Sequence, residues 1–221
     1  MSTVEAVLCE EERARAARFV YSRHHRRFAI CRAALRTILG RYLNTRPADL
    51  RFVAGPHGKP ALAGAGSSSN IRFSVSHSDR LALVAIAHRQ EVGVDIERIR
   101  PDVQTQDIAR RFFGRADAQT ILSLPPEDLP AAFFRCWCSQ EACVKALGVG
   151  LAGLQDVRDN LTPPDGWLAA SRASGWADIF GRWAVSDLDI DAGFAASLAV
   201  EGRGCLLAAF SYQSTDMSEV A

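Results

Sequence analysis

Two stretches of this sequence constrain its fold and its chemistry more than any others. The first, Val92–Glu97, has the pattern of a buried strand whose alternation directs Asp95 and Glu97 to the same side. The second has a helical pattern in which Glu141 and Lys145 lie one turn apart. Three carboxylates and a lysine placed in this way can hold a divalent metal and a diphosphate. Either stretch alone would indicate very little.

The composition is that of an ordinary globular protein. Of 221 residues, 48% are hydrophobic and 23% are charged, which suits one large domain or two halves of roughly 100 residues each. A net charge of +1 argues against general nucleic-acid binding. No apolar run approaches the ~20 residues that span a bilayer, so we expect a soluble protein without a membrane partner.

The cysteines indicate a reducing compartment. The six cysteines lack the spacing of a disulfide framework or of a zinc site, and we find no signal peptide. We therefore expect a cytoplasmic protein. Cys136, Cys138 and Cys143 are interpreted as small buried hydrophobic residues.

The hydrophobic periodicity predicts helices followed by strands, twice, with a boundary near Arg100. This order predicts an α+β protein with two similar halves. The predicted helices are Glu10–Leu43 (broken near His24 and His25), Asp107–Phe113, Ala116–Leu124 and Ala131–Leu147. The predicted strands are Leu50–Val53, Ile71–Ser76, Leu81–His88, Glu91–Ile96, Trp167–Ser171, Gly181–Leu188, Ala195–Val200 and Leu206–Phe210. The turn Arg89–Gln90 predicts a hairpin between Leu81–His88 and Glu91–Ile96.

Two other segments invite a phosphate-binding interpretation. Gly64–Asn70 is rich in glycine and serine but lacks the ending of a phosphate loop, so we predict a flexible turn there. The arginine-rich stretch from Arg13 to Arg41 either attracts a phosphorylated or acidic partner or forms a solvated helix face.

Each candidate group also has an ordinary structural explanation. Asp95 and Glu97 can end a strand at the surface, and Glu141 and Lys145 can form a helical ion pair. However, Glu141 lies on an otherwise apolar helix, where an unpaired carboxylate would be costly. His77 follows a strand, where it can act as a general base, a phosphate donor or a turn residue.

Five motifs follow one another along the chain: Gly58–Pro60, Phe73–Ser78, Val92–Glu97, Arg111–Phe113 and Phe134–Lys145. Taken in order, they resemble those of the 4'-phosphopantetheinyl transferase superfamily, in its larger, surfactin-synthetase-activating (Sfp-like) type. The resemblance covers roughly residues 10 to 210 and implies a pseudo-dimeric fold in a monomer. Its halves, 1–100 and 101–212, would each have an antiparallel sheet and helices, before a frayed tail at 213–221.

The resemblance implies a reaction and a set of roles. The family moves 4'-phosphopantetheine from coenzyme A to a serine of an apo acyl or peptidyl carrier protein, releasing adenosine 3',5'-bisphosphate with the help of Mg²⁺. The nucleophile then belongs to the partner, which agrees with the lack of a GxSxG motif here. The implied roles are metal binding by Asp95, Glu97 and Glu141, coenzyme A binding by Arg15, Lys59, Ser76, His77 and Lys145, and catalysis by Glu141, Lys145 and His77.

The sequence departs from the family pattern at three places. Gln140 stands where the family usually has a lysine, the segment before Glu10 is short, and His24 replaces a common acidic residue. These departures leave open a non-catalytic carrier-binding paralogue or, with the same acids, a metal-dependent phosphohydrolase. On this basis Gln140→Lys would preserve or raise activity. We expect the carrier protein to dock around Ile108–Leu124. The alternative is that the apolar residues of this segment belong to the core of the protein.

Overall fold

The computed structural model describes residues 3–103, 105–154, 157, 166–167, 177–179, 182–203 and 205–212. Its architecture is α+β with antiparallel sheets, which confirms the predicted fold class. The helices are α1 (Thr3–Ala6), α2 (Glu10–Ala17), α3 (Ser22–Leu43), α4 (Thr105–Phe112), α5 (Arg115–Leu122) and α6 (Leu129–Leu147). The strands are β1 (Phe52–Ala54), β2 (Pro60–Leu62), β3 (Ile71–Ser78), β4 (Leu81–His88), β5 (Val92–Arg98), β6 (Ala177–Ile179), β7 (Trp183–Asp187) and β8 (Phe194–Glu201).

The chain forms two compact units. The first consists of the described residues within 1–53, 62–69 and 207–221, and the second of those within 54–61 and 70–206. The predicted halves, 1–100 and 101–212, divide the chain elsewhere, and their functional division stays a prediction.

A buried ion pair organises the first unit. Arg36 on α3 is 1% exposed, and its guanidinium donates to Glu12 at 2.6 Å and to the carbonyls of Pro47 and Leu50. A buried guanidinium requires this degree of pairing, because an unpaired charge in the interior is strongly destabilising. The predicted break between α2 and α3 falls at residues 18–21, just before His24.

The second unit is built on a four-stranded antiparallel sheet of order β5-β8-β7-β6, with α6 packed across β5 and β8. The contact is close because Gly93 on β5 has no side chain. A Cβ there would lie 1.9 Å from the carbonyl oxygen of Ala142 and 2.3 Å from the amide of Ala146. Cys136, Cys138 and Cys143 of α6 are at most 1% exposed, which confirms that they are core residues.

The predicted hairpin between β4 and β5 is wrong. β4 pairs instead with β3, in a register that runs from Ile71↔His88 to Ser78↔Leu81, whereas β5 pairs with β8. Arg89 has a positive φ of 63°, and its amide donates to the carbonyl of Asn70, which closes the β3–β4 ladder. The residues after β4 therefore direct the chain away from β4 and into a different sheet.

Other predicted elements also need correction. Gly64–Ser69 is a short 3₁₀ helix rather than a flexible turn, Leu206–Phe210 is irregular rather than a strand, and Trp167 is helical. The sequence pattern missed β6 altogether. Residues 168–171, the rest of one predicted strand, and the tail 213–221 lie outside the described residues. Among the helices that the structure describes, none has the length and apolar character needed to cross a membrane.

Candidate active site

A cleft of about 400 Å³ in the second unit lies among β3, β5 and α6. Its lining includes every residue predicted for the site except Arg15 and Lys59. The lining residues are Val75, Ser76, His77, Asp95, Glu97, Trp137, Glu141 and Lys145. The structure thus brings together the predicted strand and helix motifs, which lie some fifty residues apart in sequence.

Asp95 lies at the bottom of this cleft and is only 4% exposed. Its Oδ1 accepts hydrogen bonds from the hydroxyl of Ser76 at 2.8 Å and from the ammonium of Lys145 at 2.5 Å. Its Oδ2 is buried without a hydrogen-bond partner. A buried carboxylate oxygen without a partner is rare in folded proteins and marks a place where a ligand or an ion can bind.

Glu141 faces Asp95 from α6 and is 9% exposed. Burial is the main reason that the pKa of Glu141 is raised from 4.5 to about 7; the negative charge of Asp95 adds to it, Lys145 offsets part of it, and Glu97 contributes least. Its Oε1 is buried and lacks a partner. A carboxyl group with a pKa near neutrality can accept or release a proton at physiological pH.

Lys145 connects the helix to the strand. Its ammonium donates to Asp95 and, at 2.9 Å, to the hydroxyl of Ser76. Lys145 therefore forms an ion pair with Asp95 on β5. The ordinary helical explanation predicts its partner to be Glu141, one turn away on α6. A cation that bridges two elements at the edge of a cleft is well placed to meet an anionic ligand.

Glu97 is half-buried at the rim, and its Oε2 accepts a hydrogen bond from Ser78 at 2.8 Å. The neighbouring Arg98 pairs with Asp79 at 3.5 Å. His77 is exposed and lines the same cleft. The hydroxyl group of Ser78 thus orients the carboxylate of Glu97 at the opening of the cleft.

The acids fit a hard divalent cation, although they are not already arranged as a finished metal site. Within the described residues, no group of three His, Cys, Asp or Glu side chains has metal-binding geometry. The ammonium of Lys145 currently neutralises Asp95. The two unpartnered oxygens, on Asp95 and Glu141, are nevertheless the carboxylate donors that Mg²⁺ prefers. The donor chemistry therefore fits the metal that the sequence predicts.

Lys59 lies at the junction of β5 and α6 instead of lining the cleft. Its ammonium donates to Glu91 at 2.9 Å and to the carbonyls of Val92 at 3.2 Å and Ala146 at 2.9 Å. These contacts tie the start of β5 to the last turn of α6. The predicted contact of Lys59 with coenzyme A stays a prediction.

Arg15 belongs to the first unit. It is exposed on α2, with its guanidinium 5.1 Å from the ring centroid of Phe28, and it lines an open hollow. The other residues of this hollow are Glu11, Ala14, Arg18 and Phe19. The predicted role of Arg15 near the 3'-phosphate of coenzyme A also stays a prediction.

Gln140, the departure from the family pattern, faces the core. It is 0% exposed, its amide lies 3.7 Å from the sulfur of Cys136, and its Oε1 has no partner. One residue along a helix turns the side chain by about 100°, so Gln140 and Glu141 point to different surroundings. Glutamine at this position therefore takes no charge away from the cleft.

One feature of the site was not predicted from the sequence. Ser78 and Ser74 contact β5 through their hydroxyl groups, and the alternation of serines in Phe73–Ser78 was the available signal. Within Ile108–Leu124, the segment expected to meet the carrier protein, Phe113 and Ile121 are at most 4% exposed and belong to the core, which is the alternative that the sequence left open. A docking surface over Ile108–Leu124 would have to use other residues.

Comparison with known proteins identifies the family. A family model described as "4'-phosphopantetheinyl transferase superfamily" matches residues 91–198, and one described as "4'-phosphopantetheinyl transferase, N-terminal" matches residues 1–89. The 4'-phosphopantetheinyl transferase HetI of Nostoc sp. is 35% identical over 204 residues, which is 92% of this chain and 83% of that protein. The 4'-phosphopantetheinyl transferase Sfp of Bacillus subtilis is 27% identical over 142 residues, covering 64% of this chain and 61% of Sfp.

The chain therefore belongs to the 4'-phosphopantetheinyl transferase superfamily, as its motifs predicted. It is an enzyme that transfers the 4'-phosphopantetheinyl group to carrier proteins, with coenzyme A as the substrate of the family. The match in two parts agrees with the pseudo-dimeric fold of the family.

Proposed function

We propose that the cleft around Asp95 and Glu141 is the transfer site, and that it works with Mg²⁺. The observation that carries the proposal is the pair of buried, unpartnered oxygens, Asp95 Oδ2 and Glu141 Oε1, beside a lysine. Buried carboxylate oxygens are usually paired, so these two are candidates for contact with a ligand. Asp95, Glu97 and Glu141 would hold the metal, which supplies positive charge against the diphosphate of coenzyme A.

In the proposed reaction the hydroxyl oxygen of the carrier serine attacks the phosphorus that bears the pantetheine group. A new serine–phosphorus bond forms, and the bond from that phosphorus to the bridging oxygen of the diphosphate breaks. Adenosine 3',5'-bisphosphate leaves with the electron pair. The serine proton must be accepted by a base, because the attacking oxygen is weakly nucleophilic while protonated.

Glu141 is our candidate for this base. It lies on α6 at the cleft, among the other residues proposed to act on the diphosphate. His77 is exposed at the same cleft and is the alternative acceptor within reach of an incoming partner. The two assignments differ in the element that carries the base, α6 or β3.

Lys145 would stabilise charge on the diphosphate. Its ammonium already lies between β3 and β5 at the cleft, held by Ser76 and Asp95. Charge that develops on the bridging oxygen of the leaving group is best stabilised by a donor that is oriented beforehand. Ser76 and His77 would add contacts to the phosphates, whereas the contacts proposed for Lys59 and Arg15 with coenzyme A rest on the family resemblance.

We further propose that the protein acts as a monomer in the cytoplasm and takes its carrier as a separate protein. The free cysteines, three of them buried in α6, suit a reducing compartment. The carrier supplies the nucleophile, so no serine of this chain has to be activated.

The experiment combines the protein with coenzyme A, Mg²⁺ and a panel of apo acyl and peptidyl carrier proteins, and follows the intact mass of each carrier. We expect the mass of at least one carrier to rise by one phosphopantetheine group, and EDTA to prevent the rise. If every carrier keeps its mass while coenzyme A is hydrolysed, the phosphohydrolase alternative replaces this proposal. If neither changes, the transferase proposal fails.

A further inference from the structure

Three serines at alternate positions of β3, Ser74, Ser76 and Ser78, make the contact between β3 and β5. Each hydroxyl oxygen accepts a hydrogen bond from a backbone amide of β5, where a neighbouring strand would normally offer a carbonyl. The pairs are Val94 N–Ser74 Oγ at 3.1 Å, Ile96 N–Ser76 Oγ at 3.4 Å and Arg98 N–Ser78 Oγ at 3.0 Å. We call this set the serine ladder.

Two hydroxyls of the serine ladder make a second contact, to a carboxylate on β5. Ser76 donates to Asp95, and Ser78 donates to Glu97, each at 2.8 Å. A hydroxyl group has a single hydrogen, so an amide that donates to its oxygen leaves that hydrogen for the carboxylate. Ser74 differs from the other two serines. The β5 residue before its partner Val94 is Gly93, which has no side chain to accept a hydrogen bond.

We infer that Ser78 is a positioning residue that directs the carboxylate of Glu97 into the cleft. This inference rests on the proposed metal-binding role of Glu97. Glu97 is half-buried, and without Ser78 its flexible side chain would be free to take several rotamers at the rim. Fixing one rotamer beforehand reduces the entropy that a ligand must overcome on binding.

The test measures Mn²⁺ affinity by electron paramagnetic resonance, with coenzyme A present and no carrier protein, so that no turnover occurs. We expect Ser78→Ala to weaken Mn²⁺ binding about tenfold, which corresponds to about 1.4 kcal/mol, because the Glu97 carboxylate loses the hydrogen bond that orients it. Ser74→Ala is the matched control because it removes a β5 amide contact but no carboxylate contact. Its affinity should stay within twofold of the unmodified protein, as should that of Ser78→Thr, which keeps the hydroxyl.

A double-mutant cycle shows whether Ser78 acts through Glu97. In a Glu97→Gln background, Ser78→Ala should have little further effect on Mn²⁺ affinity. Equal losses in Ser78→Ala and Ser74→Ala, or additive effects in the cycle, would overturn the inference and leave the proposed function standing. If Ser78→Ala does not fold, Ser78→Cys replaces it. If the unmodified protein binds no Mn²⁺, the metal role of the acids fails, and this assignment fails with it.

Discussion

At the scale of single residues, the distinctive feature of the site is its incompletely hydrogen-bonded carboxylates. Asp95 and Glu141 are both buried, and each keeps one oxygen without a hydrogen bond. Such groups destabilise the folded protein, because desolvation of a carboxylate is compensated only by pairing. The destabilisation is expected where a ligand later completes the pairing.

The raised pKa of Glu141 predicts a pH-dependent stability. Because its folded pKa, about 7, exceeds the ordinary 4.5, the folded state binds more protons between these values, and the free energy of unfolding falls as the pH rises through this window. Above pH 7 the full destabilisation is present, with a ceiling of about 3 kcal/mol at about 1.4 kcal/mol for each pKa unit.

Glu141→Gln should therefore be more stable than the unmodified protein at pH 8, with a smaller advantage at pH 5. The measurement is denaturant unfolding in EDTA at several pH values. A difference in unfolding free energy that is the same at pH 5 and pH 8 would show that Glu141 has an ordinary pKa in the folded protein.

Gln140 gives a second prediction at this scale. Because its side chain is fully buried beside Cys136, a lysine there would place an ammonium in the core. We expect Gln140→Lys to lower the free energy of unfolding by several kcal/mol, in contrast to the harmless outcome predicted from the sequence. Gln140→Met, of similar volume and without a charge, is the matched control, and thermal unfolding is the measurement. A Gln140→Lys variant as stable as Gln140→Met would place this side chain at the surface.

At the scale of elements, the position of α6 over β5 determines where the acids meet. Gly93 allows the helix backbone to touch the strand, and Lys59 ties the two elements together at one end. Asp95 lies two residues after Gly93. Glu141 lies one residue before Ala142, whose carbonyl oxygen packs against Gly93. The packing and the chemistry therefore depend on the same few residues.

Gly93→Ala should separate α6 from β5 and damage both stability and transfer. A Cβ at 1.9 Å from a carbonyl oxygen is impossible without movement of the helix, so a loss of several kcal/mol is expected. Gly58→Ala is the control, because no neighbour lies within 4 Å of that glycine; its positive φ of 84° predicts only a small loss of stability there. Chemical denaturation compares the two. A Gly93→Ala variant as stable as the unmodified protein would contradict the close packing of α6.

Much of this arrangement was predictable because local patterns carry it. The period of the apolar residues in Ala131–Leu147 and the stop at Gly148 predicted α6 within two residues of its observed start. The same-side placement of Asp95 and Glu97 followed from strand alternation alone.

The errors concern contacts between distant segments. The pairing of β5 with β8 joins residues about a hundred positions apart, and nothing in a short turn such as Arg89–Gln90 reveals it. The burial of Gln140 likewise depends on which side of α6 meets the core. The pattern of apolar residues in a segment shows whether it forms a helix or a strand. The element against which it pairs or packs depends on the whole fold.

At the scale of the whole molecule, the cleft lies entirely in the second unit, whereas Arg15 lies in the first. Family membership covers both, with matches at residues 1–89 and 91–198. The reaction class therefore rests on residues of both units, whereas the residues proposed to act on the diphosphate line the cleft of the second unit.

The most direct test of the central claim compares Asp95→Asn with the unmodified protein in transfer of phosphopantetheine to an apo carrier, followed by the intact mass of the carrier. Asp49→Asn, an exposed aspartate outside the cleft, is the control, and circular dichroism checks that all three proteins are folded. We predict that Asp95→Asn lowers the transfer rate by at least about a hundredfold, while Asp49→Asn transfers normally. Transfer at the normal rate by a folded Asp95→Asn protein would show that the cleft is not the transfer site.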